Sequence, residues 1–100
     1  MSRYTMTDQA VDDPKAIWQY IADRAGEGAA EQVGDDLIAA FEQLGDMPGM
    51  GHVRADVPDD RYRFWSAHSY VIAYHPDVRP IRIVRVVGGQ QDFGRLFRRP

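Results

Sequence analysis

The chain has 100 residues, 44% hydrophobic and 27% charged, which fits one domain over residues 1–100 with a modest core. It has no cysteine, which excludes disulfides, thiolate catalysis and cysteine-ligated metals. Its three histidines lack metal-ligand spacing, so we expect no metal and no cofactor. No apolar run reaches the roughly 18 residues of a membrane span, and the N-terminus lacks the apolar stretch of a signal peptide. We therefore expect a cytoplasmic protein without a membrane partner.

The charges are distributed unevenly along the chain. Residues 1–50 carry ten acidic and three basic side chains, whereas residues 51–100 carry nine arginines and five aspartates. The second half contains no lysine at all. Arginine is the cation suited to bidentate contacts with carboxylates and phosphates. This half of the chain is therefore predicted to present a basic partner-binding surface.

The first predicted elements are a short strand and a helix. Alternation over residues 3–7 favours the strand. Asp12 and Asp13 precede Pro14, a pattern typical of a helix start, because a carboxylate caps free N–H groups and proline fits the first turn. The sequence thus predicts that the helix begins at Pro14.

Two helices are predicted to form an antiparallel hairpin. Apolar residues at helical spacing over 17–25 give the first, which Gly26 and Gly28 end. A second apolar stripe gives a helix over residues 29–44, ended by Gly45. The link of two or three residues brings the helices side by side.

The remainder of the chain has the periodicity of strands. We predict a loop over 46–52 and an extended arm or short strand over 53–57. We then predict strands over 61–67, 69–75 and 81–87, with a turn over 76–80 and a basic tail over 88–100. Successive strands joined by short turns pair antiparallel, and the first strand would join an edge. The prediction is a two-layer α+β domain of order β-α-α-β-β-β, with the hairpin on one face of the sheet.

Arginines within the predicted strands are the first candidate site residues. Arg61 and Arg63 would share one strand face, whereas Arg82 and Arg85, three residues apart, would lie on opposite faces. Arg85 lies in a strand that is apolar on both faces. It is expected either to be held by a carboxylate or carbonyls, or to contact a partner. The apolar residues of the tail are likewise expected either to pack in the core or to form a partner patch.

The ordered series of motifs resembles the RelE/ParE superfamily of bacterial type II toxins over residues 3–97. The segments that carry the resemblance are D-P-K-A-I-W-Q-Y-I-A, A-A-F-E-Q-L, M-P-G-M-G-H, S-Y-V-I-A-Y and I-R-I-V-R-V-V-G-G-Q-Q-D-F. RelE-like members of this superfamily cut mRNA on the ribosome with basic residues on two strands and an Arg and Tyr near the C-terminus. ParE-like members lack that set and inhibit DNA gyrase.

The sequence resembles the ParE-like branch at the positions that separate the two activities. The basic positions of the nucleases fall on Tyr62, Phe64, Val71 and Gln91, and the late Tyr falls on Phe97. Val71 cannot clamp a phosphate, Gln91 carries no charge, and Phe97 has no proton to give. The ParE-like pattern R-V followed by H-G-x-R-D is matched only in part, because its His and its Arg are absent here.

The resemblance implies a toxin that inhibits DNA gyrase and hence replication, is not itself an enzyme, and has no catalytic residues. It implies a hetero-oligomer with a cognate ParD-like antitoxin that carries an acidic, amphipathic C-terminal segment, and no sequence-specific nucleic-acid binding. The residues expected to contact partners are Arg61, Arg63, Arg82, Arg85, Trp18, Trp65, Phe93 and Phe97. The alternative is a ribosome-dependent mRNA endonuclease using Arg61, Arg63, Arg85 and His75.

Overall fold

A computed structural model describes residues 3–98, which form a four-stranded mixed sheet with a helical hairpin on one face. The elements are β1 (Tyr4–Met6), α1 (Asp8–Ala25), α2 (Glu27–Asp46), β2 (Arg63–Ala67), β3 (Tyr70–His75), β4 (Ile81–Gly88) and α3 (Phe93–Leu96). The strand order is β1-β4-β3-β2, with β1 parallel to β4 and the other pairs antiparallel. The predicted α+β fold, with the first strand at an edge, is confirmed. Within residues 3–98 no helix is long and apolar enough to cross a bilayer.

The predicted start of the first helix at Pro14 is wrong. The helix begins at Asp8, and Pro14 lies inside it. Thr7 is the N-cap: its hydroxyl accepts from the Ala10 amide at 3.1 Å and donates to the Val84 carbonyl at 2.8 Å. Proline has a helix-compatible φ, so at this position it removes one backbone hydrogen bond while tertiary contacts keep the helix continuous.

The hairpin link and the end of α2 also differ from the prediction. Gly26 alone joins the helices, with φ of 92°, and Gly28 is already part of α2. Gly45 does not end α2, which continues to Asp46. A Cβ at Gly45 would lie 2.6 Å from the carbonyl oxygen of Arg3. This glycine is therefore needed for the close approach of the chain before β1, not for a helix stop.

Two hydrophobic cores lie on opposite faces of the sheet, because β3 is buried on both sides. The core beneath the hairpin contains Ala10, Leu37, Ala40, Phe41, Leu44, Ile72, Tyr74, Ile81, Ile83 and Val86. The second core contains Val57, Phe64, Val71, Ala73, Val87, Phe93 and Phe97. Phe93 and Phe97 come from the predicted basic tail, which folds back as α3 over the sheet face that the hairpin leaves uncovered.

A buried tyrosine fixes the loop that follows α2. The Tyr74 hydroxyl donates to the Pro48 carbonyl at 2.7 Å and accepts from the Gly51 amide at 2.9 Å. A Cβ at Gly51 would lie 2.5 Å from the Tyr74 hydroxyl. The loop therefore depends on glycine at this close contact.

The segment over residues 53–57 is not a strand. The backbone pairing with β2 is at His52, whose amide and carbonyl both bond to Phe64, at 3.0 and 2.8 Å. The next strand begins at Arg63, two residues later than predicted, because Tyr62 and the residue before it belong to a turn.

A register shift between β3 and β4 corrects the predicted faces of two arginines. Arg82 lies opposite His75 and Arg85 lies opposite Ala73, with the irregularity between Ala73 and Tyr74. Since His75 and Ala73 are two residues apart, they face the same side of the sheet. Arg82 and Arg85 therefore share a face, and the expectation of opposite faces is wrong because one extra residue in β4 shifts the alternation.

Candidate functional surface

Arg85 is held by an ion pair with α1. Its Nε lies 2.8 Å from Asp13 Oδ2 and its NH2 lies 3.2 Å from Oδ1, and the Val86 amide donates to the same carboxylate at 2.8 Å. The side chains are only 26% and 16% exposed. Asp13 therefore binds a backbone amide of β4 past the end of the pairing with β1, and its charge neutralises Arg85. Of the two alternatives expected for Arg85, the structure shows the ion pair with a carboxylate.

Arg61 and Arg63 are also engaged within the chain. Arg61 lies in the turn before β2 and pairs with Asp59, whose side chain is 2% exposed, at 2.5 Å. The hydrogen bond and the charge of Asp59 raise the pKa of Arg61 above its usual value. Arg63 donates to the Gly51 carbonyl at 3.2 Å. Both arginines thus stabilise the loops beside β2.

Three arginines on the side of the second core have side chains without an intramolecular polar partner among residues 3–98. Arg82 is exposed on β4, and Arg95 and Arg98 are exposed on α3 and just after it. We call them the free arginines. Arg98 and Arg95 line an open polar depression together with Asp92 and Gly94. Their guanidinium groups keep their full capacity for bidentate contacts.

The residues suggested for RNA cleavage do not form one site. Arg63 lies opposite Tyr74 and so faces the hairpin side, whereas His75 lies opposite Arg82 on the other face. His75 stacks on Tyr62 at 4.7 Å, and its Nε2 is buried without a hydrogen-bond partner in the described part of the chain. Desolvation, followed by repulsion from nearby arginines, lowers the pKa of His75 below its usual value. This imidazole is neutral at pH 7, and its shielded Nε2 is poorly placed to serve as a general base.

The burial of His75 predicts a specific pH dependence of stability. Since its pKa is lowered in the folded state, the unfolded chain binds more protons, and the free energy of unfolding should fall as the pH drops below about 6.5. Above that pH the contribution is fully present. We expect His75→Phe to flatten this dependence below about pH 6.5, as measured by urea denaturation.

His52→Gln is the matched control, because His52 is exposed. It should leave the dependence intact. A His75→Phe protein that loses stability with acid as steeply as the parent chain would contradict the assignment.

The aromatic residues predicted to anchor partners have different environments. Phe93 and Phe97 are 1% and 6% exposed, and they pack on Phe64 with ring centroids 6.0 and 5.4 Å apart. Trp18 and Trp65 are half-buried. Of these four predicted anchors, the two tryptophans are thus the ones that offer an aromatic surface to a partner.

An apolar groove of about 340 Å³ runs along the seam between α1 and α2. Trp18 and the half-exposed Ile38 lie on its two sides, and Lys15 is the charged residue in its lining. The full lining is Pro14, Lys15, Trp18, Gly34, Leu37, Ile38 and Phe41. Such a groove suits an amphipathic segment.

Comparison with known proteins shows the family to which this chain belongs. Residues 4–93 match the family model described as the ParE toxin of type II toxin–antitoxin systems, parDE. The chain is 32% identical over 91 residues to toxin ParE1 of Caulobacter vibrioides, covering 87% of this chain and 88% of that protein. The chain belongs to the ParE toxin family. It is the toxin component of a type II toxin–antitoxin system, and its partner is an antitoxin.

A solved structure shares the fold of this ParE-family toxin. It is that of the chromosomal ParDE system from P. aeruginosa, with a TM-score of 0.72 and 19% identity. The match covers 87% of this chain and 98% of that chain. The two-layer arrangement is therefore common to both proteins despite their low identity.

The two positions at which this ParE-family toxin departs from the H-G-x-R-D pattern both line a second, wider cleft. Gly88 and Gln91 stand at the His and Arg positions, and both line a cleft of about 600 Å³ between the hairpin and the ends of β3 and β4. His68, in the β2–β3 turn at φ of 56°, also lines it and lies 2.6 Å from Asp36 of α2. That hydrogen bond lowers the pKa of Asp36. His68 thus connects the β2–β3 turn to α2 beside this cleft, and none of the lining residues within 3–98 is an arginine.

The sequence favoured an apolar groove beside the hairpin, but apart from Trp18 it did not indicate which residues line the groove or which arginines lack an internal polar partner among residues 3–98. Gly34 and Ile38 lie in the predicted second helix, but no role was assigned to them from the sequence. Ile38 could have been identified, because it lies beside Leu37 of the apolar stripe and widens it by one position. Arg95 and Arg98 were not singled out from the tail. Nothing local in the sequence distinguishes them from Arg85, since the aspartate that pairs with Arg85 is 72 positions away.

Proposed function

We propose that this ParE-family toxin inhibits DNA gyrase by direct binding and does not cut RNA. The observation that carries the proposal is the set of free arginines, Arg82, Arg95 and Arg98, on the side of the second core. The nuclease alternative requires Arg61, Arg63, Arg85 and His75 to act together. Arg63 and His75 lie on opposite faces of the sheet, and all three arginines have internal partners, which disfavours this alternative.

The free arginines suit a protein target with exposed carboxylates. A guanidinium without an internal partner gives up no existing ion pair when it binds, so its interaction with a partner is retained in full. Arg82, Arg95 and Arg98 therefore form the proposed contact surface for gyrase. Arg61 and Arg63 would support it indirectly by fixing the adjacent loops.

We further infer that the antitoxin is ParD-like and forms a hetero-oligomer with the toxin through an acidic, amphipathic C-terminal segment. Its apolar residues would occupy the groove beside Trp18, and its carboxylates would pair with the free arginines. Occupation of those arginines explains neutralisation, because the same groups would no longer be available to gyrase. Trp65, half-buried on the edge strand β2, is a second aromatic position for such a segment.

Two parallel assays of the antitoxin-free protein test the proposal. One measures DNA supercoiling by gyrase, and the other measures mRNA cleavage in a translating extract. We expect inhibited supercoiling or trapped gyrase–DNA cleavage complexes, with intact mRNA. Cleaved mRNA with normal supercoiling would overturn the proposal in favour of the nuclease.

The free arginines can be tested directly in the supercoiling assay. The combined substitution Arg82→Gln, Arg95→Gln and Arg98→Gln is expected to raise the half-inhibitory concentration at least about ten-fold, because exposed ion pairs at an interface each contribute modestly. Folding should be unaffected, since these side chains make no polar contact with other side chains or the backbone within residues 3–98.

The control for this variant is Arg24→Gln, which removes an exposed guanidinium on α1 that lies 4.0 Å above the Tyr20 ring. Inhibition should remain at the parent level. Equal inhibition by the triple variant and the parent chain would exclude this surface as the gyrase contact.

A further inference from the structure

The apolar stripe of α2 that faces the groove has one empty position. Gly34, Leu37, Ile38 and Phe41 all line the groove. Positions three, four and seven apart lie on one face of a helix. A side chain at position 34 would therefore point into the groove, and Gly34 is the place where the stripe has none.

Helix packing does not account for this glycine. A Cβ added at Gly34 would meet nothing within 4 Å, in contrast to Gly45, where a Cβ would collide with Arg3. Glycine in a helix interior is less favourable than alanine. The chain therefore keeps a residue that weakens α2 at a point where alanine would fit without any collision.

The surroundings of the empty position indicate what fills it. Trp18, Leu37 and Ile38 supply apolar walls, so the space suits an aliphatic or aromatic side chain. Lys15, the single lysine of the chain, is the charged residue in the lining and has no ion pair within residues 3–98. It favours a carboxylate close to the inserted side chain.

We propose that Gly34 is the receiving position for one apolar anchor residue of the antitoxin, inserted between Trp18 and Ile38 with an adjacent carboxylate at Lys15. This inference rests on the proposed binding of an amphipathic antitoxin segment in the groove, and it assigns the residue on which that binding depends. Gly34 lowers the stability of the free toxin and raises its affinity for the antitoxin.

The test uses substitutions that change stability and binding in opposite directions. Gly34→Ala should raise the Tm of the free toxin by about 3–8 °C. It should weaken binding to the full-length antitoxin, produced from the open reading frame adjacent to the toxin gene, by about five-fold. Gly34→Leu should weaken binding by about fifty-fold or more, because the larger side chain fills the receiving space itself. Affinity is measured by calorimetric titration and Tm by circular dichroism.

Gly28→Ala is the matched control, since Gly28 lies in the same helix, has open space around it and does not line the groove. It should leave antitoxin affinity unchanged. If the parent chain binds the antitoxin and both Gly34 variants bind equally well, the inference is overturned while the proposed function stands. If the parent chain itself does not bind, the antitoxin proposal fails and this inference fails with it.

Discussion

Replacing Phe93 with alanine is expected to lower the free energy of unfolding by about 3–5 kcal/mol. Phe93 is 1% exposed, its ring stacks on Phe97 at 6.2 Å, and it meets the edge of Phe64 at 6.0 Å. Arg54 lies 3.9 Å above the same ring. The truncation would open a cavity in the second core and remove a cation–π contact. Urea denaturation measures the loss, which is a large part of the stability of a domain of this size.

Leu96→Ala is the control for this prediction. Leu96 lies in the same short helix but is 40% exposed, so its truncation should cost less than about 1 kcal/mol. Equal losses in the two variants would mean that α3 detaches as a whole and that Phe93 has no special place in the core. A small loss for Phe93→Ala would show that the tail does not cover the second face of the sheet in solution.

Replacing Asp13 with alanine is expected to lower the free energy of unfolding by about 2–4 kcal/mol. The substitution leaves the largely buried guanidinium of Arg85 without its carboxylate and the Val86 amide without its acceptor. An unpaired buried charge and an orphaned amide both cost more than an ordinary hydrogen bond contributes. The same denaturation experiment provides the measurement.

A double-mutant cycle separates the ion pair from other effects of the substitution. Asp13→Ala combined with Arg85→Ala should lose less than the sum of the two single variants, because the second truncation removes the charge that the first leaves unpaired. Asp12→Ala, at the exposed neighbouring position, should change stability by less than about 0.5 kcal/mol. Strict additivity in the cycle would rule out the Asp13–Arg85 contact as a stabilising pair.

The fold was predictable where periodicity is strong. The strand over residues 81–87 was predicted to within one residue of Ile81–Gly88, because its apolar run has few other interpretations. The start of α1 was not predictable, because Asp12 and Asp13 before Pro14 resemble a helix start. The residue that caps the helix is Thr7, whose hydroxyl bonds to both α1 and β4. A local pattern cannot reveal that a hydroxyl has a second partner on a distant strand.

The candidate surface was less predictable than the fold. The face of Arg85 depends on an irregularity in the pairing of β3 with β4, which alternation along one strand cannot reveal. The state of each arginine depends on which carboxylate the tertiary fold brings to it. The groove depends on Gly34, whose lack of a side chain acquires meaning only once α1 lies beside α2.

The parallel pairing of β1 with β4 determines when this toxin can become folded during its synthesis. Tyr4–Met6 pairs with residues 81–83, and the Thr7 hydroxyl bonds to a carbonyl 77 positions later. The ribosome must therefore deliver the chain as far as residue 83 before the first strand has a neighbour, and α3, which completes the second core, is later still. The free arginines therefore come together as one surface only after residues 81–98 have been synthesised and β4 has paired with a strand made more than 70 residues earlier.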